Sequence, residues 1–193
     1  MADSASGWFV RGSAAKILSA ADPAGTASNL LRLFLEQTDR GEIFETALTM
    51  ERAGNQGVVP GLIAALREGD PNHRYAAARA LGWIMPVGRQ ATKALIAALV
   101  DKSQPCDVRE QAAESLAYSW NRRAIEPLIS VLSDPDVRIR FWSVFALGSI
   151  GQQHPERRIV EALESMLGDN ESPPGWWPVG REALAMLAKL TPQ

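Results

Sequence analysis

Cysteine is all but missing from this chain: Cys106 stands alone among 193 residues. No internal disulfide can form, and zinc sites built from several cysteines are excluded. Histidine is nearly as scarce. His73 and His154 are far apart in sequence, and no His-Glu-x-x-His pattern exists to hold a catalytic metal. No apolar run approaches the length of a membrane span, and Met1 to Gly12 lacks a basic start followed by an apolar stretch, so a cytoplasmic protein without membrane contact is expected. There is no basic excess either. Lys and Arg number 20 against 22 Asp and Glu, a formal charge of −2, whereas phosphate contacts dominate the affinity of nucleic-acid binders. Runs of β-branched residues are few, and alanine and leucine recur throughout, which favours helix over strand. No glycine-rich phosphate loop precedes a helix.

What is present is a repeat. Leu62, Leu95, Leu128 and Leu163 follow one another at steps of 33, 33 and 35, and Leu66, Leu99, Leu132 and Leu167 keep the same steps. Ile63, Ile96 and Ile129 repeat beside them. A polar break follows each of the first three helices, at Asp70-Pro71, Gln104-Pro105 and Asp134-Pro135. Proline there stops a helix, and aspartate turns the chain or caps the next one. Second helices then share a pattern: His73-Arg74 leads to Ala80-Leu81-Gly82, Val108-Arg109 to Leu116-Ala117, and Ile139-Arg140 to Ala146-Leu147-Gly148. Gly82 and Gly148 lie inside helical patterns, where glycine costs about 1 kcal/mol relative to alanine, so close helix packing is expected to compensate.

These periods predict an all-α array over residues 25–193, with repeats near 26–54, 57–87, 88–120, 121–151 and 155–193, so about five helix pairs. Residues 1–24 precede it, and Ser13 to Ala21 could form a short extra helix. One pair cannot bury its own apolar stripe, whereas stacked pairs bury a continuous core.

The order Asp-Pro, Val-Arg, Ala-Leu-Gly resembles the short HEAT-like repeats first associated with phycobilisome lyases. Asp134-Pro135-Asp136-Val137-Arg138 with Ala146-Leu147-Gly148-Ser149-Ile150-Gly151 is the closest copy, and Asp70-Pro71, Arg74 and Ala80-Leu81-Gly82 come next. The resemblance implies a right-handed α-α superhelix, or HEAT-like solenoid, whose second helices line the concave face. It also implies that Asp-Arg pairs such as Asp70 with Arg74 tie loops to helix starts. The fourth copy departs from the pattern, with extra residues between Val137 and Ala146 that set its Val-Arg early.

In each second helix, positions one and two turns apart point away from the core. They are Tyr75, Arg79 and Trp83, then Glu110, Glu114 and Tyr118, then Phe141, Phe145 and Ser149, then Arg181, Ala185 and Lys189. Aromatic residues beside arginine are the usual chemistry of interface hot spots. Tyr75, Arg79, Trp83, Glu110, Glu114, Tyr118, Phe141 and Phe145 are therefore the candidate binding residues, with Trp176 and Trp177 in a Pro/Gly-rich loop beside them. Each has a purely structural alternative. Phe141, Trp142 and Phe145 could be core, Arg79 and Glu114 could pair across repeats, and Trp176 and Trp177 could cover the end of the last repeat. No catalytic group, metal site or cofactor is assigned: Cys106 has no base, and Glu110 and Glu114 share a solvated face. A scaffold binding another protein is the leading expectation. The alternatives are a lyase-like subunit handling a bilin or other flat ligand, and a module like the HEAT-like DNA glycosylases, to which Trp83, Trp120, Trp142 and Arg79 invite comparison.

Overall fold

In a computed structural model, residues 3–190 are described, those before Val10 by backbone alone. All regular structure among them is helical. The helices are α1 (Asp3–Ala21), α2 (Pro23–Glu36), α3 (Arg40–Ala53), α4 (Val59–Glu68), α5 (Pro71–Trp83), α6 (Arg89–Val100), α7 (Cys106–Ala117), α8 (Ile125–Ser130), α9 (Val137–Gln153), α10 (Arg157–Ser165) and α11 (Val179–Leu190). Short 3-10 turns, Gln56–Val58 and Arg122–Ala124, lead into α4 and α8. The expected class, an all-α array of about five helix pairs, is the one observed. No helix among the described residues is long and apolar enough to cross a membrane. The chain forms two compact units, Met1–Ala94 and Leu95–Gln193.

Local chemistry sets the helix ends. Asp39 accepts from the backbone N–H groups of Gly41 and Glu42 at the start of α3. Asp70, before Pro71, does the same for Asn72 and His73 at the start of α5. Such caps satisfy N–H groups that have no partner within the helix. Gly54 ends α3 with φ +61°, a left-handed turn that glycine adopts without strain. The Asp-Pro copies are not equivalent, however. Asp136, not Asp134, caps α9, and α7 begins on Pro105 with no side-chain cap.

The repeating leucines form the core. Leu62, Leu95, Leu128 and Leu163 are fully buried, as are Leu81, Leu116 and Leu147 of the second helices. In the first unit Phe34, Ile43, Met50, Leu62 and Leu66 are all buried in the apolar interior. His73 is a core residue: Nδ1 faces Asp70 Oδ2 at 2.8 Å and Nε2 faces the Phe34 carbonyl at 2.9 Å. Asp70 is thus engaged by His73 rather than serving the expected tie to Arg74, whose Nε donates to the Gly69 carbonyl at 2.6 Å.

In the second unit Arg109 of α7 and Arg140 of α9 each reach into the next repeat. Arg109, buried, donates Nε–H to the Leu99 carbonyl at 2.9 Å and Nη2–H to Asp134 at 2.6 Å. Arg140 repeats this with Asp169 at 2.8 Å and also donates to the Asp134 carbonyl at 2.8 Å. Arg140, not Arg138, is therefore the counterpart of Arg74 and Arg109, in keeping with the shared pattern of Ile139-Arg140, His73-Arg74 and Val108-Arg109. Gly148 meets the expectation of close packing, since a Cβ there would lie 2.4 Å from Met186 Cγ. Gly180 is tighter still, because its neighbour at 2.5 Å is the Leu167 carbonyl oxygen, a backbone atom.

Two stability measurements follow. Asp134→Ala strands a buried guanidinium, so urea unfolding should show a loss of about 3–5 kcal/mol, where an exposed pair would give about 0–1. Gly180→Ala improves helix propensity yet should destabilise by about 1–3 kcal/mol, because the added methyl must displace backbone.

Candidate functional site

The candidate residues fall into two groups, one in each unit. In the first unit, Arg79 projects from the middle of α5. Its guanidinium lies 5.4 Å from the centre of the Phe44 ring on α3 and 5.5 Å from that of Trp83. Its Nε is 3.2 Å from Glu51 Oε1, so Arg79 pairs with the preceding repeat. Desolvation between two rings strengthens such cation–π contacts. Tyr75 is half-buried, while Trp83 keeps 38% of its surface exposed.

The second group is larger and centres on α9. Trp142 makes edge-to-face contacts with Phe141, Phe145 and Trp176, at centroid distances of 5.4, 5.6 and 5.3 Å. Trp176 and Trp177 also pack on each other at 5.5 Å. Edge-to-face contacts of this kind contribute about 0.5–1.5 kcal/mol each beyond the area they bury. Phe141 is 1% exposed: it is the floor of the cluster and not part of its surface, because Trp176 and Trp177 lie over it. Phe145 and Trp142 are half-buried, and Trp176 and Trp177 remain 45% and 39% exposed. The two loop tryptophans thus cover the last repeat and still present rings outward.

That loop is held at several points. Gly180 N–H donates to the Asp169 carbonyl at 2.8 Å, Val179 N–H to the Glu171 carbonyl at 3.0 Å and Trp176 N–H to the Pro173 carbonyl at 3.0 Å. Gly175 supplies a left-handed residue, φ +79°. Trp177 Nε1–H donates to buried Glu182 at 2.7 Å, and Arg181 stands 5.5 Å over its ring. Arg140, which pins Asp169, also pairs with Glu171 at 2.9 Å, so the same arginine that joins the repeats anchors the loop.

Glu110, on α7, forms the polar edge of the cluster. It accepts from Trp142 Nε1 at 3.2 Å and pairs with Arg138 at 3.2 Å. Burial raises its carboxyl above the ordinary value of 4.5; Arg138 and the Trp142 bond pull it down, while Asp136 and Glu114 push it up. Arg138 also pairs with Asp136 at 2.6 Å, and that bond holds the Asp136 carboxyl below its usual range. Glu114 accepts from Gln111 on its own helix at 3.0 Å, and Tyr118 is the half-buried C-cap of α7. Cys106, also on α7, is exposed, and burial of its sulfur together with the bond to Asp136 raises its thiol, the opposite of what a nucleophile needs. Among the described residues no group of three or more His, Cys, Asp or Glu is placed to hold a metal.

Sequence reasoning passed over Glu182 and Arg138 as parts of this site. The contact from Trp177 to Glu182 crosses a loop-to-helix junction, where no periodicity applies. Arg138 could have been found once Arg140 took the repeat position.

The sequence matches the family described as HEAT repeats over residues 43–105 and 92–175. It is 31% identical over 116 residues to the uncharacterized phycocyanin operon protein Z of Pseudanabaena tenuis, covering 56% of this chain and 55% of that protein. It is 31% identical over 103 residues to phycocyanobilin lyase subunit alpha of a Picosynechococcus species, covering 51% of this chain and 37% of that protein. The match thus spans about half of the first relative and little more than a third of the second. A designed armadillo repeat protein superimposes with a TM-score of 0.58 at 20% identity, over 86% of this chain and 83% of that one.

The raised carboxyl gives a signed expectation. Folded Glu110 holds its proton to higher pH than in the unfolded chain, so it favours the fold at low pH and loses that contribution as pH rises above 4.5. Parallel urea titrations of wild type and Glu110→Gln should show the stability difference moving in the variant's favour as pH rises through that window. A difference that stays flat, or moves the other way, would count against a desolvated carboxylate.

Proposed function

This chain belongs to the HEAT-repeat family, and we propose that it is a binding scaffold that holds another protein on the aromatic face of its second unit. The observation that carries this reading is the pair Trp176 and Trp177. Both are substantially exposed, yet each is immobilised by ring contacts, by backbone hydrogen bonds of its loop or by the bond to Glu182. Interfaces draw most of their energy from a few tryptophan, tyrosine and arginine residues, and rings ordered before binding lose little entropy on contact. Phe145 and Arg181 extend the surface, and Glu110 with Arg138 gives it a polar margin. Glu114 and Tyr118 contribute to the same face from α7, and Tyr75, Arg79 and Trp83 form a separate candidate contact surface in the first unit.

One observation favours a second reading. A curated relative is phycocyanobilin lyase subunit alpha, and a shelf of indole rings suits a flat conjugated molecule. In this reading the chain handles a bilin as part of a lyase.

Affinity capture from cell lysate tests the first reading, with Trp176→Ala and Phe145→Ala set beside Lys93→Ala, an exposed first-helix control. Wild type and Lys93→Ala should enrich the same protein, and the two aromatic variants should lose it while melting as cooperatively as wild type. Equal recovery by all four, or loss explained by unfolding, would refute the assignment. Titration with a linear tetrapyrrole tests the second. A visible absorbance shift that Trp176→Ala weakens supports it, and no shift at saturating pigment removes it.

A further inference from the structure

Trp120 is the one described residue other than glycine with a positive φ, at +44°. It occupies the turn after α7, directly before Asn121, whose side chain accepts from Arg123 N–H at 3.0 Å. The turn after α3 is built in the same way: Gly54 at φ +61° precedes Asn55, whose side chain accepts from Gly57 N–H at 2.9 Å. Glycine adopts this conformation freely, whereas a bulky side chain is strained in it. Burial of the ring could offset that strain, but 46% of Trp120 is exposed. The backbone is nonetheless held, because His154 Nε2 lies 2.9 Å from the Trp120 carbonyl. The fold thus carries, on a backbone conformation that glycine would adopt more freely, an indole of which nearly half is exposed.

The surroundings give the ring a chemical context. Residues 119–124 and 154–158 carry four arginines, Arg122, Arg123, Arg157 and Arg158, against Glu156. Arg122 and Arg158 both pair with Glu156 at 2.7 Å, Arg158 also with Glu126 at 2.5 Å, and Arg157 with Glu161 at 2.7 Å. Arg157 is 91% exposed in its pair, and Arg123 forms no ion pair among the described residues. The Arg157–Glu161 pair is exposed on both sides and such pairs are weak, so Arg157 exchanges readily to another carboxylate, whereas Glu156, 16% exposed, holds Arg122 and Arg158 more firmly. Against the three carboxylates that pair with them, Glu126, Glu156 and Glu161, the four arginines leave one positive charge on this edge, in a chain of net charge −2.

We infer that the edge made by Trp120, Arg122, Arg123 and Arg157 is a second interaction surface, distinct from the α9 cluster, and that it takes an acidic segment of a partner protein. Tryptophan and arginine are the residues most enriched in protein-interface hot spots. Complementary charge steers an acidic chain to the edge, and the indole takes an apolar side chain of that segment.

The test uses a fluorescein-labelled peptide of alternating glutamate and leucine, its glutamine counterpart, and a single-stranded RNA of equal charge. Anisotropy should show wild type binding the acidic peptide, with the glutamine peptide and the RNA weaker. Trp120→Gly should weaken the acidic peptide at least about fivefold while melting at the same or a higher temperature, and Arg123→Glu should weaken it as much. The proposal is overturned if wild type does not bind the acidic peptide, if Trp120→Gly binds it as wild type does, or if the RNA binds more tightly. It is also overturned if Trp120→Gly melts lower than wild type, since the ring would then serve the fold.

Discussion

The buried guanidinium of Arg109 is the contact on which the second unit depends. It sits between the Leu99 carbonyl and the Asp134 carboxylate, with 6% of its side chain exposed to water. A charge so placed tolerates little movement, because any slip leaves it without partners in a low-dielectric interior. Arg140 repeats the arrangement with Asp169 one repeat later. Each arginine fixes the rotation of its helix as well as the spacing of repeats. Successive residues on a helix are turned by about 100°, so pinning Arg109 and Arg140 inward sets Glu110 and Phe141 toward the neighbouring face. The geometry of the proposed binding face is thus set by how the core is locked.

The aromatic cluster draws on the same lock. Arg140 holds Asp169 and Glu171, these two residues anchor the loop, and the loop lays Trp176 and Trp177 over Phe141. The result is a surface whose rings are ordered before any partner arrives. Its polar edge is less comfortable. Glu110 is partly desolvated among Arg138, Asp136 and Glu114, and burial raises its carboxyl. Its bonds from Trp142 Nε1 and Arg138 offset part of that cost and tie α7 to α9.

Much of the fold was legible in the sequence because its signal is periodic. Leucines at 62, 95, 128 and 163 mark first helices, and all four are fully buried. Gly148 announced a close helix approach, and Met186 lies where its side chain would be. The register of the fourth repeat was harder, since both Val137-Arg138 and Ile139-Arg140 fit a Val-Arg position, and the pairing of Arg140 with Asp169 selects the second. Phe141 illustrates what periodicity cannot supply. Its helix position points off the core, and it is buried by a loop more than thirty residues away. The conformation of Trp120 could not be read, because a left-handed tryptophan contradicts every local preference.

The most direct test of the account is hydrogen exchange of the protein with and without the partner that its wild-type form captures. The account predicts new protection at the backbone amides of residues 175–182 and of the α9 segment around Phe145, with the exposed first-helix segment around Lys93 unchanged. Protection confined to first helices, with the Trp176–Trp177 loop exchanging as it does in the free protein, would contradict it.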